Sequence, residues 1–132
     1  MAKYVYPAVF TPEENGLFSV NFPDIESCYT CGDNLEDAIR MAEDVLAFTL
    51  YDYEKKGEKV PPPSASESIA LKDGEFVSFV RCDTITYQRM NNTRAVKKTL
   101  SVPEWLNDMA EKAGINFSQV LQEALREKLG VA

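Results

Sequence analysis

Apolar and polar residues alternate in the first part of the chain, which is the pattern of strands with one buried face. Phe18, Val20 and Phe22 fall on one side of a segment whose intervening positions are polar, and this spacing predicts a half-buried strand. Residues 3–11 are rich in Tyr, Val and Phe, and residues 25–30 can form a short further strand. Three strands are therefore expected at the start of the chain.

A single apolar stripe then predicts one long helix over residues 35–56. Its members recur at helical spacing: Leu35, Ala38, Ile39, Ala42, Val45, Leu46, Thr49, Leu50 and Tyr53. Asn34 is expected to cap the start of this helix and Gly57 its end. Residues 76–82 predict a fourth strand. The order strand, strand, strand, helix, strand indicates a small α+β layer with one helix on a sheet.

The last forty residues predict a smaller β-α-α unit. Residues 96–102 alternate well enough for a short strand, and Pro103 suits the first turn of a helix that follows. Gly114 ends that helix, Asn116 is expected to cap a second one, and Gly130 closes it. Such a unit is too small to bury a core alone, so it is expected to pair with a second copy.

Charge divides the chain into an acidic N-terminal part and a C-terminal part whose first residues are basic. Residues 1–93 contain 8 Lys and Arg against 16 Asp and Glu, a net charge of −8, whereas residues 94–132 contain 6 against 5. No acid occurs between positions 84 and 103, a segment that contains Arg89, Arg94, Lys97 and Lys98. Clustered cations attract phosphate, and acidic surfaces attract basic proteins. The chain is therefore expected to have two kinds of partner.

The cysteines and the absence of histidine argue against metal or redox chemistry. Cys28 and Cys31 form a C-x-x-C pattern, but the chain has only one other cysteine, Cys82, and no histidine. A structural zinc site normally needs four nitrogen or sulfur ligands. We therefore expect small, partly buried thiols, no cofactor, no metal and no catalytic residue.

The composition is that of an ordinary soluble globular protein, with 45% hydrophobic and 27% charged residues. No apolar run approaches the roughly 20 residues that cross a bilayer, and the first residues lack the apolar core of a signal peptide. We therefore expect a cytoplasmic protein without a membrane partner.

Short motifs in a fixed order over residues 3–82 resemble the HicB antitoxin family. They are Tyr6-Pro7-Ala8, Gly16 followed by Phe18-Ser19-Val20, Phe22-Pro23-Asp24-Ile25, Cys28, Thr30-Cys31-Gly32-Asp33, Leu35-Glu36-Asp37-Ala38 and Val60-Pro61-Pro62-Pro63-Ser64. The resemblance implies a partial ribonuclease-H-like fold that binds a small RNA-cleaving toxin, HicA. Such a toxin should be basic because its substrate is a polyanion, and the acidic residues of this chain could cover it.

Residues 95–130 resemble the ribbon-helix-helix DNA-binding fold, in which two chains pair their strands over four helices. The resemblance implies that Lys97, Thr99 and Ser101 face the bases of the major groove. It also places Asn116, Phe117 and Ser118 at the helix start that clamps the DNA backbone. Arg94 and Lys98 would add nonspecific attraction to phosphate. The alternative is that this unit only dimerises and that its lysines are solvated.

These observations predict three parts with two functions. Residues 1–83 form a HicB-like toxin-binding domain, residues 84–94 a flexible linker, and residues 95–132 a ribbon-helix-helix domain that binds operator DNA. The protein would then inhibit a HicA-type toxin and repress its own operon as a homodimer through residues 95–130. Assembly beyond the dimer stays open.

Two other functions are weaker hypotheses. One is a ligand-responsive ribbon-helix-helix repressor without a toxin partner, for which the sequence marks no ligand pocket. The other is a metal-dependent ribonuclease-H-like nuclease, whose two metal ions would need several converging carboxylates. The available acids fall into no spacing that identifies such a site: Asp24, Asp33, Glu43, Asp44 and Asp83. The chain is therefore not expected to be an enzyme.

Overall fold

A computed structural model describes residues 2–131, which form two compact units. We call the unit that ends at Arg94 the body and the unit that begins at Ala95 the tail. Among the residues described, no helix is both long enough and apolar enough to cross a membrane.

The body contains one antiparallel sheet of four strands. They are β1 (Lys3–Pro12), β2 (Phe18–Asn21), β3 (Tyr29–Gly32) and β4 (Phe76–Asp83), and their order across the sheet is β3-β2-β1-β4. The predicted number and chain order of these strands are confirmed. The third strand starts later than residue 25, because the backbone first closes a loop in which the N–H of Phe22 donates to the carbonyl of Cys28 at 3.0 Å.

Helix α1 (Leu35–Lys56) packs on one face of this sheet, as predicted. The Asn34 side chain accepts a hydrogen bond of 2.8 Å from the N–H of Asp37, and Gly57 ends the helix in the left-handed conformation that favours glycine. The core between helix and sheet consists of Tyr6, Ala8, Phe10, Val20, Phe22, Ile25, Cys28, Ala38, Ala42, Leu46, Leu50 and Val80. Local signals for caps and spacing therefore place this helix correctly.

Gly32 allows β3 and α1 to approach each other closely. A Cβ atom at position 32 would lie 2.3 Å from the backbone nitrogen of Ala38 and 2.5 Å from its Cα. Backbone atoms of a helix cannot turn aside as a flexible side chain can. Only glycine therefore fits where the last strand before the helix passes its first turn.

Pro7 lies in the middle of β1, although proline cannot donate to a sheet ladder. Its Cα partner in β4 is Phe79, whereas β2 pairs only with residues 9–12 of β1. One side of Pro7 therefore has no strand next to it, and the missing N–H can face that side at no cost in sheet hydrogen bonds.

Residues 84–94 are not the flexible linker that we predicted, because most of them form helix α2 (Thr84–Asn91). The Asp83 carboxylate caps this helix and accepts a hydrogen bond of 3.0 Å from the N–H of Ile85. Thr84 is fully buried, and its hydroxyl donates to the carboxylate of Glu54 at 3.1 Å. Helix α2 could not be predicted, because its sequence has no apolar stripe and the contacts that stabilise it come from distant parts of the chain.

Glu54 joins the end of α1 to the start of β1 and the end of β4, which lie side by side in the sheet. Its carboxylate accepts hydrogen bonds from the hydroxyls of Tyr4, at 2.7 Å, and of Thr84. Burial raises the pKa of Glu54, but these hydrogen bonds outweigh it and leave the pKa below its usual value. Burial and the adjacent Glu54 charge raise the pKa of Tyr4 to about 12. The pair is therefore ionised at Glu54 and neutral at Tyr4 near pH 7.

The tail contains helices α3 (Glu104–Lys112) and α4 (Phe117–Leu129), close to the predicted positions. The strand over residues 96–102 was predicted to pair with a second copy. In the single chain this exposed segment has no regular structure, so the paired strand stays a prediction. A strand needs a neighbour for its backbone hydrogen bonds, and the described part of the tail contains no other extended segment to supply one. Neither tail helix has a buried residue in the single chain.

Candidate protein- and nucleic-acid-binding surfaces

Three aromatic side chains, one methionine and one aspartate lie on the side of α1 that faces away from the sheet, with Asp44 and Phe48 exposed and the other three half-buried. Met41, Asp44, Phe48 and Tyr51 are spaced so that they share this side of the helix, and Tyr87 of α2 packs against them. The ring centroids of Tyr87 and Phe48 are 6.4 Å apart, and those of Tyr87 and Tyr51 are 5.7 Å apart. We call these five residues the acidic aromatic surface.

The acidic aromatic surface contains a shallow depression large enough for a protruding side chain. The depression has a volume of about 230 Å³ and is bordered by Thr30, Met41, Asp44, Val45, Phe48 and Tyr87. Phe48 is 59% exposed, which is unusual for so large an apolar side chain in a helix with an otherwise ordinary core. Exposed apolar groups that cluster beside polar ones commonly mark a site of protein–protein interaction.

The electrostatics of this surface favour a cationic partner. Burial raises the pKa of Tyr87, and the nearby negative charge of Asp44 raises it further. The rings of Phe48, Tyr51 and Tyr87 present faces over which a Lys or Arg side chain can bind. A partner that placed such cations against the rings and against Asp44 would be bound by both effects.

The sequence predicts an acidic N-terminal domain in general but does not single out these residues. A signal for them does exist, because positions 41, 44, 48 and 51 recur at helical spacing on the side opposite to the core stripe. The place of Tyr87 in this surface could not be predicted from the sequence, because it depends on helix α2, which the sequence does not predict.

The residues predicted to bind DNA lie in two places. Arg94, Lys97, Lys98, Thr99 and Ser101 are exposed in the segment before α3, and this segment has no regular structure in the single chain. The other three, Asn116, Phe117 and Ser118, are brought together at the start of α4. There the Asn116 side chain accepts a hydrogen bond of 3.1 Å from the N–H of Gln119.

Two of the carboxylates considered for a metal-dependent nuclease, Asp24 and Asp83, have structural contacts. Asp24 accepts a hydrogen bond of 2.9 Å from the N–H of Ser64, and Asp83 caps α2. Within residues 2–131, no group of three or more metal-binding side chains could hold an ion. The cysteines are free thiols, with Cys28 buried in the core, Cys31 exposed and Cys82 in between.

Comparison with known proteins relates the chain to antitoxins. Antitoxin HicB 1 of Photorhabdus laumondii is 41% identical over 58 residues, which are 44% of this chain and 37% of that protein. Antitoxin HicB of Escherichia coli K12 is 33% identical over 63 residues, which are 48% of this chain and 46% of that protein. The chain thus spans less than half the length of these two curated relatives.

A solved structure extends the similarity over both units. A chain in the toxin–antitoxin complex from Streptococcus pneumoniae is 28% identical, with a TM-score of 0.63, and the alignment covers 96% of this chain and 99% of that chain. A family model described as the HicB-like antitoxin of bacterial toxin–antitoxin systems matches residues 6–125. Because this match runs through most of the body and the tail, the chain belongs to the HicB-like antitoxin family.

Proposed function

We propose that this chain binds and inhibits a HicA-type mRNA-cleaving toxin through its body and represses its own operon by binding operator DNA as a dimer through its tail. The observation that carries the first part is the acidic aromatic surface, which is exposed on a member of an antitoxin family. The similar chain from Streptococcus pneumoniae comes from a toxin–antitoxin complex, which supports a toxin as the partner.

The chemistry of the acidic aromatic surface matches what an RNA-cleaving toxin must display. A protein that binds RNA exposes Lys and Arg to contact phosphate, and the same cations can bind Asp44 and the rings around it. Tyrosine is among the residues that contribute most to binding energy at interfaces. Charge complementarity would also accelerate the encounter of the two proteins. Occupying the toxin's cationic surface would keep RNA away from it.

The exposed apolar residues of the tail support the dimer. Trp105 is 64% exposed and Val120 is 50% exposed in the single chain, although both recur at helical spacing with the other apolar residues of their helices. A second copy would cover such residues and would pair the two 96–102 segments into a ribbon. Lys97, Thr99 and Ser101 would then share one face of this ribbon.

The start of α4 suits a phosphate group in such a dimer. The first N–H groups of a helix have no partner within it, and the helix dipole favours an anion there. Asn116 caps one of these groups, the N–H of Gln119. We therefore assign toxin binding to residues 1–83 with Tyr87, and DNA binding to residues 95–132, with residues 84–94 as the connection.

The family affiliation bears on one of the alternatives considered for the sequence. The chain belongs to a family described as antitoxins, which gives the nuclease hypothesis no support. A repressor that responds to a small ligand instead of a toxin is the remaining alternative. The two differ in whether a toxin binds.

Co-expression of the full chain with a HicA-type toxin tests the antitoxin function. We expect the two to purify as a complex and the RNA cleavage of the partner to be suppressed at a one-to-one ratio of chains. The matched control is the same partner expressed alone, which should degrade mRNA. Absence of a complex would favour the ligand-responsive repressor.

Replacing both Lys97 and Thr99 by alanine is expected to weaken operator binding by about 30-fold or more, since two contacts are lost and each costs at least about 1 kcal/mol. Toxin inhibition should not change, because both residues lie outside the body. Titration of labelled operator DNA and of RNA cleavage measures the two activities on one preparation. Lys112→Ala, which removes an exposed lysine at the end of α3, is the control and should bind DNA normally. Equal binding by all three proteins would leave the tail as a dimerisation unit only.

A further inference from the structure

Strand β4 has a free edge that is built to accept another strand. It is the last strand of the sheet on one side, and among residues 2–131 no strand pairs with its outer edge. All eight residues, Phe76–Asp83, pair with β1 in continuous register. Natural sheets protect such edges with charged side chains, Pro or bulges. This strand contains no Pro, and its two charged residues, Arg81 and Asp83, both lie near one end. The rest of the edge is a template for pairing.

The side chains along this edge indicate what kind of strand it accepts. On the sheet face away from α1, Phe79 is 60% exposed and Arg81 is exposed, with Val77 half-buried between Phe79 and Glu75. Lys3 of β1 lies at the same end as Arg81. Asp83 lies at that end too, and Glu75 directly precedes the other end of the strand. The edge therefore contains both signs of charge, and a second copy that runs in the opposite direction can place cations opposite carboxylates.

We propose that the free edge of β4 pairs antiparallel with β4 of a second copy of this chain, forming a continuous eight-stranded sheet. Directly opposite residues in an antiparallel pair share a sheet face. A symmetric pair therefore has one residue opposite itself, and only a few registers keep the strands in contact. The charges of the edge distinguish among these registers.

The register with Ser78 opposite Ser78 of the second copy is more complementary than the register with Phe79 opposite itself. The first sets Val77 opposite Phe79, and Arg81 opposite Glu75, which directly precedes β4. Each of these pairs occurs twice by symmetry. The second would set Glu75 against Asp83, two like charges. Opposite charges and aromatic–β-branched pairs stabilise neighbouring strands, whereas like charges destabilise them. The proposed pairing therefore has Ser78 at the symmetry axis.

The surroundings of the edge leave room for a second copy. An open groove of about 410 Å³ borders the last residues of β4, with Glu43 and Ala47 on the α1 side and Thr86 and Met90 on the α2 side. In the proposed register, the turn that precedes the second copy's β4 would lie beside this groove. The groove also touches Asp44 and Tyr87, so the pairing edge and the acidic aromatic surface adjoin.

A disulfide at the symmetry axis tests the register directly in the full chain. Opposite residues of an antiparallel pair have Cα atoms about 4.5–5.5 Å apart, within the range of a disulfide. We expect Ser78→Cys, in a background with Cys31→Ser and Cys82→Ser, to give mostly covalent dimer on mild oxidation. The control is Thr30→Cys in the same background, a half-buried position on the opposite edge strand β3. Cross-linking no greater than in this control, with the circular dichroism unchanged, would overturn the proposal.

Hydrogen exchange of the unmodified chain gives an independent answer if the cysteine variant folds poorly. We expect the amides of residues 76–83 to exchange at least tenfold more slowly in the wild-type chain than in Phe79→Lys at the same protein concentration. Phe48→Lys, at a site of nearly equal exposure, should exchange as slowly as the wild-type chain. Wild-type exchange as fast as that of Phe79→Lys, or slowed only when the toxin is added, would show that no second copy occupies the edge.

Discussion

Replacing Gly32 by alanine is expected to lower the free energy of unfolding of the body by about 3 kcal/mol, because overpacking against a rigid neighbour forces backbone shifts. The added Cβ would lie 2.3 Å from the Ala38 nitrogen. Either β3 must leave the sheet or α1 must move off the core residues that it covers. Urea unfolding followed by circular dichroism measures the loss on the full chain.

Gly16→Ala is the matched control for this substitution. Gly16 has a φ of +78°, and nothing lies within 4 Å of the Cβ that alanine would add. Its cost is then only the conformational one, about 1 kcal/mol. If Gly32→Ala were no more destabilising than Gly16→Ala, the close approach of strand and helix would not exist in solution.

Phe48→Lys is expected to weaken toxin binding by about 100-fold, equivalent to about 2.7 kcal/mol. The substitution removes the most exposed ring of the acidic aromatic surface and adds a positive charge where a basic partner is proposed to bind. Calorimetric titration of purified toxin, together with an RNA cleavage assay, measures the loss. The body should stay folded, because the Phe48 side chain lies largely outside the core.

Phe79→Lys separates this local effect from a general change in charge. Phe79 is 60% exposed, against 59% for Phe48, and the two variants have the same net charge. We expect Phe79→Lys to bind the toxin with nearly wild-type affinity, since Phe79 lies on the sheet face away from α1. Two variants with equally reduced affinity would mean that charge alone, and not the acidic aromatic surface, governs binding.

Elements specified by neighbouring residues could be predicted from the sequence. The start of α1 is set by Asn34 and its end by Gly57, and both signals act within one helical turn. The same holds for α4, with Asn116 before it and Gly130 after it. Alternation and helical spacing likewise predict the strand and helix order of the body. Each of these signals depends on residues only a few positions apart.

Elements specified by distant residues could not be predicted. Helix α2 depends on contacts of Tyr87 with Phe48 and Tyr51, more than thirty positions earlier in the chain. Glu54 lies off the apolar stripe of α1 and reads as a solvated charge, yet it binds the hydroxyl of Tyr4, fifty positions away. The contribution of Tyr87 to the acidic aromatic surface could not be predicted for the same reason, since its ring contacts are distant in sequence. The strand over 96–102 depends on a second copy of the chain and stays a prediction.

The exposed segment that joins the two units also affects how long the intact chain survives. Residues 92–103 are exposed and lie outside any helix or strand, and backbone of this kind is where proteases cut most readily. Arg94, Lys97 and Lys98 add the side chains after which trypsin-like enzymes cleave. One cut would separate a body that still neutralised the toxin from a tail that still held the operator. Pairing of residues 96–102 in a tail dimer would shield the bonds after Lys97 and Lys98. Chains without a second copy would then be degraded faster than chains in a dimer.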